Sequence, residues 1–151
     1  MTNWMDWYGL ALMAVILVPN ALFARAHPEG FENLWRNRWV ELLEQTGRFG
    51  CFGLMIVRIP PLYLGLWCGR TVYLLVSALL TAAYCLVWLV WWNRDGLFRA
   101  IALSVLPSAL FLFCGAAARN LPLLAAAVAF APCHITISVK NALEKGASHD
   151  L

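Results

Sequence analysis

The sequence predicts an all-α, polytopic membrane protein with about five transmembrane helices and a cytoplasmic amphipathic segment before the second. Three observations carry this expectation. Apolar runs at 6–24, 72–92, 97–118 and 121–139 are each close to the ~20 residues that cross a bilayer as a helix. The chain is 62% hydrophobic and 13% charged, where a soluble domain averages about 25% charged residues. The mean hydropathy is +0.71 over all 151 residues, so little polar sequence is left to build anything outside the membrane. One domain suits this length: a single transmembrane unit over 1–139, then a polar cytoplasmic tail over 140–151.

The first span opens on Trp4, Trp7 and Tyr8, amphipathic rings suited to a membrane surface. Pro19 lies inside it and removes one helical hydrogen bond, which predicts a kink near Val15. Asn20 follows. Residues 31–45 then alternate Phe31, Leu34, Trp35, Trp39, Leu42 and Leu43 with Glu32, Arg36, Asn37, Glu41 and Glu44 at helical spacing. That pattern predicts an amphipathic helix in the interface plane, leading without a break into the second span.

The second span is expected at 39–58. A rival register at 49–68 would put Arg58, Pro60 and Pro61 at mid-membrane. An unpaired central arginine costs at least ~3 kcal/mol, and a double proline breaks the helix. Residues 60–70 then form a short apolar-aromatic connection, with Arg58 and Arg70 reaching headgroups. The third span, 72–92, ends in Trp88, Trp91 and Trp92. The turn Asn93-Arg94-Asp95-Gly96 leads to the fourth, 97–118, which contains Pro107. Arg119-Asn120 leads to the fifth, 121–139, which contains Pro132. The tail is too short to fold alone and is expected to fray.

Arginine and lysine set the orientation. Five spans gather Arg25, Arg36, Arg38, Arg48, Arg94, Arg99, Lys140 and Lys145 on one side, and Arg58, Arg70 and Arg119 on the other. The richer side is expected to be cytoplasmic, with the N-terminus outside and the C-terminus inside. No cleavable signal peptide is expected, because Met1 to Tyr8 holds no basic residue. A net charge of +3 is too small to suggest nucleic-acid binding. It comes from nine arginines against two lysines, a balance suited to phosphate headgroups, so the bilayer is the expected partner.

The five cysteines, Cys51, Cys68, Cys85, Cys114 and Cys133, are scattered in apolar sequence and read as free thiols. No cofactor is expected. A lone intramembrane histidine cannot supply two axial haem ligands, and no clustered Cys/His spacing suggests zinc. Ser104 lacks the context of a hydrolase nucleophile. No internal repeat marks a pair of inverted halves.

The strongest polar constellation is on the second helix. Asn37, Glu41, Glu44, Arg48, Cys51 and Met55 step by three or four and share one stripe. Glu44 and Arg48 are oriented for a helical ion pair. A buried Glu–Arg pair would mark a site, whereas a solvated polar face is the plain alternative. Gly47, Gly50 and Gly53 repeat at spacing three on the same helix and are expected to let a neighbouring backbone approach. His134 is the one histidine within a span; it either bonds a neighbouring helix or relays protons. Ser77, Thr81 and Tyr84 on the third helix, and Ser104 and Ser108 on the fourth, are expected to bond between helices. Asn20, Glu44, Arg48, Ser104, His134, Ser138, Lys140 and Asn141 all fall in the cytoplasmic half. A polar cavity opening to the cytoplasm, walled by helices one, two and five, is the resulting expectation. Asn20, Glu41, Glu44, Arg48 and His134 are its candidate polar residues.

The run Phe31-Glu32-Asn33, with Glu41-Leu42-Leu43-Glu44-Gln45 and Gly47-Arg48-Phe49-Gly50-Cys51, after Pro19-Asn20, resembles a group of small uncharacterised bacterial multi-pass integral membrane proteins. The resemblance covers mainly residues 6–60. It implies about five spans in a bacterial inner membrane and no assigned activity, and no site residue is carried over from it.

Three functions fit these features. The first is binding or translocation of a small polar molecule or ion at Glu44, Arg48 and His134. The second is a structural or interaction subunit, as a homo-oligomer or within a larger complex, docking through its glycine faces. The third, a lipid-headgroup enzyme with Glu41 or Glu44 as general base, has the least behind it.

Overall fold

The computed structural model describes residues 4–27, 33–94 and 96–149. Within them the chain is all-α: α1 (Trp7–Ala26), α2 (Arg38–Ile56), α3 (Arg70–Val90), α4 (Leu97–Ala117) and α5 (Leu121–His149), with one 3-10 turn at Pro60–Leu62. The helices α1, α3, α4 and α5 are long and apolar enough to cross a membrane, and this is a membrane protein. The more polar α2 lies beside them, packed along α1 and α5.

The packing order is a ring. α1 touches α2 and α3, α2 packs on α5, α5 on α4, and α4 on α3, with α2 touching α4 only lightly across the middle. Glycines set the closest approaches. A Cβ on Gly115 would stand 2.9 Å from the backbone nitrogen of Leu124, so α4 and α5 meet at backbone distance. A Cβ on Gly47 would stand 2.9–3.0 Å from Phe130, joining α2 to α5 in the same way. Gly9 backs directly onto the Met55 carbonyl, so α1 crosses α2 without room for any side chain. Small residues permit such contacts where no hydrophobic drive exists between helices in lipid.

The two ends of the ring differ. At one, the 57–69 connection folds over the bundle. Residues 4–6 pair antiparallel with 56–58 through Asp6 N to Ile56 O (2.7 Å) and Arg58 N to Trp4 O (2.8 Å). Tyr63 pairs with Asn120, and Trp67 N donates to Ala117 O at 3.1 Å. Arg119, at φ 47°, turns the chain between α4 and α5. At the other end no connection among the described residues folds over the bundle in this way, and a cavity opens.

Several expectations change. Residues 33–37 are not helical, so the amphipathic helix over 31–45 does not form in that stretch; Phe31 and Glu32 lie outside the described residues. Asn37 stops the helix by capping α2, its side chain accepting from Trp39 N and Val40 N. The helix expected to form the second span is α2, which begins at Arg38, near Trp39 and not near Phe49; it is not among the described helices that are long and apolar enough to cross a membrane. The fifth helix runs past 139 to His149, so the tail over 140–149 is helical, not frayed. Nothing between Lys140 and Lys145 breaks a helix, and Asn141 is anchored by the 33–35 segment.

Ser104 and Ser108 do not bond between helices. Ser104 returns its hydroxyl to Ala100 O and Ile101 O, and Ser108 to Ser104 O. A hydroxyl in an apolar helix finds its own preceding turn nearest. Ser77 is linked across helices, sharing a 2.8 Å bond with Tyr8 Oη. The cysteines are free thiols, with Cys51, Cys114 and Cys133 buried.

Candidate functional site

Glu44 is on the third turn-facing position of α2, six residues from the helix start, or about 9 Å along the axis at 1.5 Å per residue. It is 3% exposed. A carboxylate at this depth is costly unless partnered, and it has two partners on two helices. Arg48, one turn along, donates to Glu44 Oε1 through Nε at 3.0 Å and through Nη2. His134 of α5 places Nδ1 2.8 Å from the same oxygen. The close α2–α5 approach at Gly47 makes this reach possible, since Gly47 and Phe130 lie one turn from Glu44 and His134 on the same two helices.

These three residues line an open cavity of about 1580 Å³ that all five helices contribute to. Asn20 and Glu41 line it too, so the five candidate polar residues share one wall system. Asn20 donates to Ile16 O within α1. Glu41 stands at the mouth, its Oε1 accepting from Asn33 Nδ2 (2.8 Å) and Asn37 N (3.2 Å). The mouth is braced from α5 as well: Asn141 Oδ1 accepts from Leu34 N (3.1 Å) and Trp35 N (2.8 Å), and its Nδ2 donates to Asn33 Oδ1 (2.9 Å).

The inner end of the cavity is aromatic. His134 stacks on Phe130 with ring centroids 4.6 Å apart; Phe130 meets Phe111 edge-on at 5.7 Å, and Phe111 meets Phe52 at 5.9 Å. This ladder puts apolar rings beneath the charged cluster.

The glycines divide. Gly47 packs on Phe130, and Gly50 would bring a Cβ to 3.2 Å from Ala126. Gly53 meets nothing within 4 Å, so the packing role expected for it within this chain is not there: the third step of the stripe has rotated off the α5 contact.

Two arginines outside the candidate set are engaged within the chain. Arg99 is 8% exposed, with its guanidinium carbon 4.3 Å from the Phe23 ring centre and 5.1 Å from that of Trp88. It lines the cavity. Trp88, 3% exposed on the same wall, keeps its indole N–H without a protein partner. Arg58, expected to reach headgroups, has a partner within the chain. It pairs with Asp6 Oδ2 at 2.6 Å, while Asp6 Oδ1 caps α1 at Tyr8 N and Gly9 N. Burial opposes the charge on Arg58, but the bond and attraction to Asp6 outweigh it and hold the guanidinium above its ordinary value. The signal for Asp6 was its place just before an apolar run, the N-cap position. Arg99 had a weaker one, a cation one turn past a short hairpin from three tryptophans.

Among the described residues no group of three or more His, Cys, Asp or Glu could hold a metal ion. No family model matches the chain, and no curated protein or solved structure is significantly similar to it.

Proposed function

We propose that the protein binds a small polar molecule or ion in its cavity and translocates it, with the cavity open to the cytoplasm of a bacterium. In this reading α2 is a fifth span of the inner membrane, the N-terminus is outside and the C-terminus inside. The observation that carries it is the meeting of Glu44, Arg48 and His134 at one carboxylate oxygen on a cavity wall. Ionisable groups inside a membrane protein are expensive, and they face water-filled paths or binding sites when they persist. His134 adds an imidazole from a second helix, a ring that can donate or accept at that oxygen. The cytoplasmic assignment rests on the excess of arginine and lysine at the open end.

The test is electrical. Proteoliposomes on a solid support receive pH steps and a panel of small carboxylates, phosphate esters, amines and inorganic ions. Wild-type protein gives currents above empty liposomes. Glu44→Gln and His134→Ala abolish them while expression and monodispersity are kept. Absence of any wild-type current across the panel refutes translocation.

A second reading, a subunit docking onto another membrane protein or a second copy, is favoured by Gly53. It is exposed on α2 with nothing packed against it, leaving room for a partner backbone. A partner retained in mild detergent and lost in Gly53→Leu would support it. The lipid-enzyme reading gains no comparable observation, because both candidate bases are held by protein donors.

A further inference from the structure

We infer that the cavity takes a small anion with an apolar body: a carboxylate or a phosphate monoester on a short chain or ring. The inference rests on reading the cavity as a binding site, as above, and specifies what it binds.

The argument turns on which charges face the open space. Among the described residues two carboxylates line the cavity, and both are already engaged. Glu44 is 4% exposed at its side chain and holds Arg48 and His134; Glu41 holds Asn33 and the backbone of Asn37. The guanidinium of Arg48 differs. Its side chain is 41% exposed, and among the described residues its hydrogen bonds go to Glu44 alone, through Nε and Nη2. The pair therefore hides its negative member and presents its positive one. Arginine also suits this task, because its planar fork holds further donors for a carboxylate or phosphate. Arg36 lines the same cavity.

A second observation is independent of Arg48. Trp88 is almost wholly buried, lines the cavity and has no acceptor for its indole N–H. An indole is a donor only, and a buried donor without a partner costs about 1–3 kcal/mol. A ligand acceptor there would remove that cost, whereas a cationic ligand would not.

The apolar body follows from the inner wall. Phe52 lies one turn from Arg48 on α2, about 6 Å at 1.5 Å per residue, and Phe111 and Phe130 continue that floor. Phe111 and Phe130 are already buried within the chain, and the apolar surface left in the cavity lining is that of partly buried Phe52 and of exposed Leu17 and Leu97. A short hydrocarbon would cover them while its headgroup reached Arg48.

Such a headgroup could belong to a free solute or to a lipid. Full-length protein in phosphatidylcholine nanodiscs is titrated with hexanoate, hexyl phosphate, hexylammonium and 1-hexanol, reading the thermal midpoint and apparent Kd. Hexanoate and hexyl phosphate are expected to stabilise saturably, and the amine and alcohol not. Arg48→Gln weakens the anions at least tenfold. Trp88→Phe, which keeps an aromatic ring there, weakens them several-fold. Glu44→Gln tightens them, since it removes the carboxylate that competes for Arg48. A merely structural role for the pair would not give opposite signs.

Discs containing phosphatidic acid then separate the sources. Apparent hexyl phosphate affinity falls with phosphatidic acid content if lipid occupies the site, and stays constant if the ligand is a solute. Saturable binding of hexylammonium in place of the anions, blocked by Ser138→Trp in the cavity wall, overturns the anion class and leaves the cavity as a site. No saturable binding of any probe, or binding indifferent to Ser138→Trp, overturns both. If Arg48→Gln does not fold, Glu44→Gln decides alone: unchanged or weaker anion binding overturns the inference.

Discussion

A single methyl group tests the α2–α5 contact on which the candidate site depends. In Gly47→Ala the new Cβ would lie 2.9 Å from Phe130 Cβ and 3.0 Å from its backbone N and Cα. Ordinary carbon contacts sit at about 3.5–4.0 Å, so α2 must retreat from α5 by several tenths of an ångström or more. Backbone cannot step aside as a flexible side chain can. Overpacking of this kind costs about 1–3 kcal/mol. Replacing glycine by alanine inside a helix returns up to about 1 kcal/mol, less in lipid than in water. The net expectation is a destabilisation of about 1–2 kcal/mol.

The neighbouring glycines supply a graded control. Gly50→Ala meets only the Ala126 methyl at 3.2 Å and is expected near neutral; Gly53→Ala meets nothing and is expected neutral to mildly stabilising. Equilibrium unfolding in mixed micelles should rank Gly53→Ala above Gly50→Ala above Gly47→Ala. Retreat of α2 also lengthens the 2.8 Å His134–Glu44 contact, so the ring nitrogen resonances of His134 should shift in Gly47→Ala and stay in place in Gly53→Ala. Equal stability across the three variants, with unchanged His134 resonances, refutes the close approach and the site geometry built on it.

Three further outcomes follow from named contacts. Asp6→Ala removes both the α1 cap and the partner of Arg58. A lost cap costs about 1 kcal/mol, and the one-third-exposed pair adds at most about 1; Asp6→Asn, which keeps a capping oxygen, should lose less in the same unfolding assay. Because the folded Arg58 value is raised, its contribution is complete below its ordinary value and is lost only above it. Raising pH across the usual alkaline buffers should therefore leave the Asp6-dependent stability unchanged. Asn141→Ala frees three hydrogen bonds to Asn33, Leu34 and Trp35, and limited trypsin should cut faster at Arg36 or Arg38 with global stability little changed. For orientation, cysteine-free protein with a probe at exposed Trp67 should label from outside, and one at Gly146 should not. The reverse pattern would overturn the charge-count orientation.

The sequence made Glu44 and Arg48 readable because a four-residue step on one helix needs no knowledge of the fold. His134 stood out because an ionisable group in an apolar run always needs an explanation. What periodicity could not say was that α5 would carry that histidine to Glu44, 90 residues away in sequence. Arg99 was only weakly readable for the same reason: Phe23 of α1 and Trp88 of α3 are brought to it only by the ring. The misread stretch at 33–37 has helical periodicity, but four side-chain caps and braces from Asn33, Asn37, Glu41 and Asn141 give its backbone better partners than a helix would. Asn120 illustrates the limit from the other side. It read as one residue of a short turn, yet it is buried, caps α5 through Leu123 N and donates to Leu54 O of α2.

The asymmetry of the ring bears on how translocation would proceed, should the proposed flux be found. α2, α4 and α5 are joined at backbone distance through Gly47 and Gly115, so they resist relative motion. α1 is held differently. Its N-terminal end is fixed by Asp6, Tyr8 and Gly9, and its C-terminal end by Phe23 against Trp88, while Ile16 and Asn20 between them line the cavity. Pro19 leaves the Val15 carbonyl without its helical donor, which lowers the resistance of α1 to bending at that level. Opening the closed end therefore means parting the Asp6–Arg58 pair, the Tyr8–Ser77 bond, the backbone bonds between 4–6 and 56–58 and the Gly9–Met55 contact, not unpacking α4 from α5. The ion pair is the side-chain contact there, reinforced by the backbone bonds between residues 4–6 and 56–58, so both must part before a blind cavity becomes a path.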